Sequence, residues 1–177
     1  GGYEVEQCPT ICADGERISS SAVRSALARG DLRLVQGLLG RPYAISGRVQ
    51  HGAKLGRSIG FPTLNLRIAH AKRMRRAALH GVFAVRVHGL DAQPLDGVAS
   101  VGLRPTVDDS GRWLLEVHLF DFARQVYGRL VRVEFVQKLR DEEKYDTVGE
   151  LTVAIRRDAE QARALLAGGD QPVRATI

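Results

Sequence analysis

The sequence has 177 residues, which is enough for one domain of ordinary size with an appendage but not for two full domains. Hydrophobic residues make up 44% and charged residues 26%, as in globular proteins. No apolar run is long enough to predict a membrane span, and Gly1-Gly2-Tyr3-Glu4 has neither the basic start nor the apolar stretch of a signal peptide. Lys and Arg outnumber Asp and Glu by 26 to 20, which suits a polyanionic partner. We therefore expect a cytoplasmic protein without membrane contact.

The first 40 residues predict two short helices. Ser20 and Ser21 are suited to cap a helical run that closes at Gly30. Asp31 caps a second run that stops at Gly40. Two helices of this size cannot bury a core by themselves, so this part is expected to be the end of something larger.

Two further features of the sequence bear on its origin and its compartment. The only methionine is Met74, so we expect the sequence to be a fragment or a processed product. Cys8 and Cys12 have no neighbouring His or Cys that would complete a metal site. We expect both to be free thiols without a chemical role.

From residue 41 the hydrophobic pattern changes to alternation. Six segments rich in Val, Ile, Leu and Phe are separated by Gly, Pro, Asp and Ser. They lie near residues 43–50, 60–66, 81–87, 96–102, 113–121 and 129–137. Because no long helix separates them, they predict a mainly β fold, an antiparallel sheet closed into a small barrel.

The last predicted element is a helix. Thr147 and Glu150 form a capping-box pattern at its start, and Gly168-Gly169 ends it. Apolar residues recur every three or four positions, at Val148, Leu151, Ile155, Ala159, Ala162 and Leu166. This stripe is expected to pack on the barrel, and residues 168–177 are expected to form a tail.

A glycine-rich segment at residues 47–66 is the first candidate site. Gly52 and Gly56 allow a ligand to approach the backbone, and Lys54 and Arg57 can neutralise phosphate oxygens. The spacing is not that of a Walker A loop. An ordinary hairpin loop would have the same composition, so this segment alone does not decide between the two.

Thr63 and Asn65 follow two residues apart, so an extended chain places both side chains on one face. Mg²⁺ prefers oxygen ligands and usually takes only one or two from the protein. The pair is therefore a candidate site for a nucleotide-bound Mg²⁺. The alternative is a strand end whose side chains bond to the backbone.

Glu116 is the candidate catalytic residue. It shares a strand face with His118 and Phe120, an unusual place for a carboxylate if that face were entirely core. A carboxylate there can accept a proton from an attacking hydroxyl group during phosphoryl transfer. His118 is interpreted as its structural neighbour.

A charged segment at residues 139–145 joins the last strand to the helix. It is either a solvated turn or a loop in which Arg140 and Tyr145 contact a planar heterocycle.

Taken together, these motifs resemble those of riboflavin kinases, in particular the C-terminal module of the bacterial bifunctional riboflavin kinase and FAD synthetase. The resemblance covers residues 41–166 and five motifs in the same order. They are Arg41-Pro42-Tyr43, Gly47 through Leu66, Val101 through Thr106, Glu116 through Phe122 with Tyr127-Gly128, and Leu139 through Tyr145. The resemblance implies a six-stranded Greek-key barrel with a C-terminal helix, preceded by two short helices.

The resemblance also implies roles for individual residues. Thr63 and Asn65 match the positions that hold Mg²⁺, and Glu116 matches the base that acts on the ribityl 5′-hydroxyl of riboflavin. Nucleotide binding is expected at Gly52, Lys54, Gly56, Arg57, Thr63 and Asn65. Flavin binding is expected at Arg140, Glu143 and Tyr145. The expected reaction uses ATP and Mg²⁺ and yields FMN and ADP.

The resemblance divides the chain into three parts. Residues 1–40 resemble the end of the companion adenylyltransferase domain, residues 41–167 the kinase barrel with its helix, and residues 168–177 a tail. The rest of that companion domain is missing, so FAD synthesis is not expected. One departure is Leu64, where the family usually has a small Ala between the Thr and the Asn.

Two other hypotheses remain open at this point. The first is a non-enzymatic basic barrel that binds RNA, which would show salt-sensitive binding to nucleic acid and indifference to ATP. The kinase hypothesis itself expects no nucleic-acid partner. The second is a folded but inactive fragment whose activity depends on the missing domain.

Overall fold

The structure is a computed structural model that describes residues 10–13, 16–52, 55–68, 78–104 and 112–168. A short hairpin comes first, formed by β1 (Cys12–Ala13) and β2 (Glu16–Arg17). Two helices follow, α1 (Ser20–Arg29) and α2 (Leu32–Leu39). Cys8 lies outside the described residues, and Cys12 is exposed.

The capping residues of the two helices agree with the sequence prediction, except that the cap of α1 lies one residue earlier in the chain. The Ser19 side chain accepts a hydrogen bond from the Ala22 amide, so Ser19 is the cap of α1 rather than Ser20 or Ser21. Asp31 caps α2 as predicted. Gly30 and Gly40 end the two helices in the left-handed conformation, which glycine adopts without strain.

Six strands form the predicted antiparallel sheet. They are β3 (Ala44–Arg48), β4 (Leu64–Arg67), β5 (Gly81–His88), β6 (Leu95–Arg104), β7 (Arg112–Leu119) and β8 (Leu130–Arg140). A single helical turn, α3 (Leu55–Ser58), lies between β3 and β4, and α4 (Val148–Ala167) follows β8.

The strand order is β3-β8-β5-β6-β7-β4. Strands β5, β6 and β7 are consecutive neighbours, and β8 returns to pair with β5, which is the Greek-key arrangement. Beyond the end of β3, the Gln50 amide donates to the carbonyl of Asn65 on β4 at 2.8 Å. This bridge links the two edges of the sheet, so the strands form a nearly closed barrel and the predicted fold class is confirmed.

The barrel interior is aliphatic and aromatic. Phe83 and Phe135 meet edge to face with ring centroids 5.3 Å apart, and Tyr43 packs on Phe135. Leu27 and Val35, from α1 and α2, belong to the same buried cluster. The two short helices therefore gain their hydrophobic burial from the barrel.

Helix α4 covers part of the outer face of the sheet. Ala159, Ala162 and Leu166 pack against Val82 and Phe120. The predicted capping box of Thr147 and Glu150 is present. Val148, in contrast, is 56% exposed and does not belong to the packed face.

A charged residue interrupts the buried side of α4. Asp158 is only 2% exposed, and Arg140 at the end of β8 donates to its carboxylate from Nε at 3.0 Å and from Nη2 at 2.7 Å. A second pair joins Arg163 of α4 to Asp121, which follows β7, at 2.8 Å. The two arginine pairs fix α4 to the chain segments after β8 and β7.

None of the helices in the described part of the chain combines the length and the apolar character needed to cross a lipid bilayer.

The buried pair predicts a large effect of removing Asp158. Asp158→Ala leaves the Arg140 guanidinium, whose side chain is 16% exposed, without its carboxylate. We expect the free energy of unfolding to fall by about 3 kcal/mol, as for other broken buried pairs. Chemical denaturation measures this loss. The matched control is Asp121→Asn, which alters an exposed arginine pair and should leave stability nearly unchanged. Equal free energies of unfolding for the two variants would contradict a larger contribution of the buried Arg140–Asp158 pair.

Candidate functional site

The main candidate site is a cleft on the outer face of the barrel, which we call the first cleft. Its polar wall includes Thr63, Ser100, Glu116, His118, Arg140, Glu142 and Glu143. Its apolar wall includes Ile59, Phe61, Val82, Val98, Leu151 and Ile155. A largely apolar cleft with a few convergent polar groups is the usual form of a small-molecule site.

Glu116 lies at the centre of the polar wall. In the antiparallel register it is the direct partner of Asn65 on β4 and of Ser100 on β6. Directly opposed residues point to the same face of a sheet. The neighbours Leu115 and Val117 are buried in the barrel interior, so Glu116 points outward. The predicted residues Thr63, Asn65 and Glu116 are therefore brought together at one place.

Asn65 is the most enclosed polar residue of the site, at 5% exposure. Its Nδ2 donates to the Thr63 carbonyl at 3.4 Å. Its Oδ1 is buried and has no hydrogen-bond partner among the residues that the structure describes. Gly52 packs directly on this amide, so closely that a Cβ there would collide with it. A buried amide oxygen without a donor is a suitable ligand for a cation.

These observations fit the predicted Mg²⁺ site. The Thr63 hydroxyl and the Asn65 amide would supply two neutral oxygens, and substrate phosphates would supply others. Within the described ranges, no group of three or more His, Cys, Asp and Glu side chains is arranged to hold a metal ion. Among the described residues, the candidate cation site is therefore the pair of Thr63 and Asn65, whose oxygens carry no charge.

The glycine-rich segment forms the rim between two clefts. Gly56 lines the first cleft, and a Cβ there would collide with the Phe61 carbonyl. The Phe61 amide donates back to the Gly56 carbonyl at 2.7 Å, which closes a tight loop. Arg57 points to the other side of this rim. Lys54, the remaining predicted phosphate-binding residue, lies outside the described residues.

A second cleft begins on that other side. Its lining includes Arg57, Thr63, Leu64, Phe122, Arg124 and Tyr127. Thr63 therefore lines both clefts, and Leu64, the departure from the family pattern, contributes to the second. His51 stacks on Tyr127 with ring centroids 3.8 Å apart, which ties the glycine-rich segment to the wall of this cleft.

His118 supports the segment that carries Thr63. Its Nδ1 donates to the Pro62 carbonyl at 2.9 Å, and its ring meets the Phe61 ring edge to face. The hydrogen bond requires a proton on Nδ1, because a carbonyl oxygen only accepts. These contacts agree with the interpretation of His118 as a structural neighbour of Glu116.

The loop between β8 and α4 closes one end of the first cleft. Arg140 and Glu143 line the cleft, whereas Tyr145 lies behind them and donates its hydroxyl hydrogen to Glu143 at 2.8 Å. The Arg140 guanidinium lies 5.9 Å from the centroid of the Tyr145 ring. Burial and this hydrogen bond raise the pKa of Tyr145, so its hydroxyl stays protonated near neutral pH.

Sequence reasoning missed Ser100, Glu142 and Asp158. Asp158 could have been found, because a charged residue between Ile155 and Ala162 interrupts an otherwise apolar helix face. Ser100 and Glu142 gave no comparable signal. They lie 42 residues apart in the sequence and meet only because β6 and the loop after β8 converge on one cleft.

The fold and the site thus define a small β-barrel with two clefts that share Thr63 in their linings, beside Asn65 and Glu116. Comparison with known proteins identifies the family. Residues 39–166 match the family model described as Flavokinase: Riboflavin kinase. The chain belongs to the riboflavin kinase family, and this segment is its kinase domain.

Curated relatives give the same result. The chain is 47% identical over 163 residues to the bifunctional riboflavin kinase/FMN adenylyltransferase of Haemophilus influenzae, covering 92% of this chain and 51% of that protein. It is 48% identical over 162 residues to the protein of the same name from Escherichia coli K12, covering 92% and 50%. The chain thus spans about half the length of these relatives.

A solved structure supports the fold. A crystal structure described as that of a macrolide-efflux protein from Streptococcus pneumoniae is 34% identical and superposes with a TM-score of 0.72. The match covers 88% of this chain and 50% of that one.

The packing of Gly52 on Asn65 predicts that this glycine is required. Gly52→Ala should displace the Asn65 amide and lower the free energy of unfolding by about 1–3 kcal/mol. Thermal or chemical denaturation measures the change. Gly37→Ala is the control, since the glycine lies in α2 with open space around it and alanine favours a helix by roughly 0.5–1 kcal/mol. The free energy of unfolding should therefore fall in Gly52→Ala and rise in Gly37→Ala. A Gly52→Ala protein as stable as wild type would exclude the close contact between Gly52 and the Asn65 amide.

Proposed function

We propose that the chain transfers the γ-phosphoryl group of ATP to the 5′-hydroxyl of the ribityl chain of riboflavin, giving FMN and ADP. The observation that carries the proposal is the meeting of the two clefts at Thr63, beside Asn65 and Glu116. Phosphoryl transfer requires a donor and an acceptor held in line on either side of the transferred group.

The charges of the two clefts suggest which substrate occupies each. Arg57 and Arg124 in the second cleft favour the polyphosphate of ATP, and Phe122 and Tyr127 offer apolar surface to its base. The first cleft presents several carboxylates, which repel a polyphosphate but accept hydrogen bonds from hydroxyl groups. We therefore assign the nucleotide to the second cleft and riboflavin to the first.

Glu116 is the proposed general base. Its carboxylate takes the proton of the ribityl 5′-hydroxyl as the oxygen forms its bond to the γ-phosphorus. The bond between the γ-phosphorus and the β,γ-bridging oxygen breaks, and ADP leaves with the bonding electrons. A base of modest strength suffices, because the proton is released as the new bond forms.

Thr63 and Asn65 are the proposed protein ligands of Mg²⁺, with Gly52 holding the Asn65 amide in place. The bound ion would neutralise phosphate charge during transfer. Arg57 contributes positive charge beside the same phosphates in the second cleft, and Gly56 is proposed to give the transferred phosphoryl group backbone access from the rim of the first.

Arg140, Glu143 and Tyr145 are proposed to bind the flavin. Arg140 and Glu143 reach the first cleft directly. Tyr145 supports both from behind, through its hydrogen bond to Glu143 and its contact with the Arg140 guanidinium.

The setting of the reaction is also part of the proposal. Because the curated relatives are bifunctional and about twice as long, we propose that the parent protein carries an adenylyltransferase domain as well. We also propose that the reaction takes place in the cytoplasm, where ATP is supplied.

The role of Glu116 predicts a loss of turnover in Glu116→Gln. The amide cannot accept the proton, so kcat should fall by about 10²- to 10⁴-fold while riboflavin and ATP still bind. Chromatography of FMN formed from riboflavin, ATP and Mg²⁺ measures the rate. Glu160→Gln, which changes an exposed carboxylate of α4, should retain wild-type activity. A fully active Glu116→Gln protein would refute the assignment, and a wild-type chain that forms no FMN would refute the function.

The metal assignment predicts a change in Mg²⁺ dependence. Thr63→Val keeps the shape of the side chain but removes its hydroxyl oxygen. The Mg²⁺ concentration for half-maximal velocity should rise by on the order of tenfold. Thr152→Val removes a hydroxyl that bonds only within α4 and should leave this concentration unchanged. If the Mg²⁺ dependence of Thr63→Val equals that of wild type, Thr63 is not a Mg²⁺ ligand.

A further inference from the structure

A second carboxylate lies in the first cleft close to Glu116. Glu142 belongs to the loop between β8 and α4, and its carboxylate folds back onto β6. The Ser100 hydroxyl donates to Glu142 Oε1 at 3.1 Å. Gly102 leaves the space that the carboxylate occupies, because a Cβ at Gly102 would collide with both of its oxygens. The sheet thus accommodates this side chain at a defined position.

The register of the sheet places this carboxylate next to the proposed base. Ser100, which holds Glu142, is the direct cross-strand partner of Glu116. Neighbouring strands lie about 4.7–4.9 Å apart. Glu142 and Glu116 therefore line the same cleft from neighbouring positions of β6 and β7. With Glu116 at the terminal hydroxyl of a sugar-alcohol chain, the rest of that chain is the part of the substrate nearest to Glu142.

Glu142 is exposed, but its carboxylate is partly desolvated in the cleft. This desolvation raises the pKa of Glu142, and the negative charge of Glu116 adds to the rise, whereas Ser100, His80 and Arg140 lower it. A raised carboxyl pKa contributes stability only at low pH, and that contribution is lost as the pH rises through the raised value. Carboxyl groups with a perturbed pKa are common at functional sites, which agrees with the geometry of the cleft.

We propose that Glu142 is an acceptor-recognition residue, whose carboxylate accepts a hydrogen bond from a secondary hydroxyl of the acceptor's sugar-alcohol chain. Ser100 fixes the orientation of the carboxylate. The inference rests on the proposed function, since it takes riboflavin as the occupant of the first cleft. A site built to bind a hydroxyl group discriminates against an analogue without it, because its polar group is then left without a partner.

The test compares two flavins by the quenching of their fluorescence on binding, with and without ADP and Mg²⁺. One is riboflavin, and the other carries the same ring with a five-carbon chain that keeps only its terminal hydroxyl. Glu142→Met removes both carboxylate oxygens at similar volume and should weaken riboflavin binding by roughly 10- to 100-fold. Binding of the analogue should change by less than about twofold, since it has no hydroxyl to lose.

Two further variants separate recognition from structure. Glu142→Gln removes the charge but keeps an acceptor, so its riboflavin affinity should lie between wild type and Glu142→Met. Its melting temperature at neutral pH should be no lower than that of wild type. Asp141→Asn changes the neighbouring carboxylate, which is exposed and pairs with Lys138 at 2.7 Å, and should leave both affinities unchanged.

The outcomes distinguish this inference from the proposed function. Unchanged riboflavin binding in Glu142→Met, or an equal loss for both flavins, overturns the role of Glu142 even if the wild-type chain makes FMN. A selective loss supports it even if the wild-type chain shows no turnover. Failure of the folded wild-type chain to bind either flavin overturns both.

Discussion

The pairing of β4 with β7 is the constraint on which the rest of the site depends. It places Asn65 opposite Glu116 on the outer face, while Leu66 and Leu115 point into the barrel. A shift of β4 by one residue would turn Asn65 inward and Leu66 outward, and Glu116, held on β7 by its pairing with β6, would lose its polar neighbour. Register is therefore fixed by the hydrophobic core. Asn65, a proposed cation ligand, and Glu116, the proposed base, are therefore positioned by the same burial that stabilises the barrel.

Helix α4 is bonded to chain segments at the walls of both clefts. Its Asp158 binds Arg140 at the end of β8, in the wall of the first cleft, and its Arg163 binds Asp121, next to the chain segment that lines the second. The Arg163 guanidinium also lies 4.2 Å from the centroid of the Phe120 ring. One helix therefore contacts segments that belong to the walls of both clefts. The pair with Asp158 is buried and the pair with Asp121 is exposed, so the first contributes more to the stability of this packing.

The fold could be predicted from sequence because its causes are local. Alternation marked the six strands, and Asp31 and the pair Thr147 and Glu150 marked helix starts. The grouping of Thr63 with Asn65 likewise followed from their spacing. The meeting of Ser100 with Glu142, and the pair of Arg140 with Asp158, could not be predicted in this way. These contacts depend on barrel closure and on the docking of α4, which no local pattern encodes.

A crystal structure of the chain with Mg²⁺, ADP and riboflavin would test most directly whether two substrates meet at Thr63. We expect the ADP phosphates beside Thr63 and Arg57 in the second cleft, and the ribityl 5′-hydroxyl within hydrogen-bonding distance of Glu116 in the first. Both ligands in a single cleft, or a ribityl chain remote from Glu116, would contradict this arrangement.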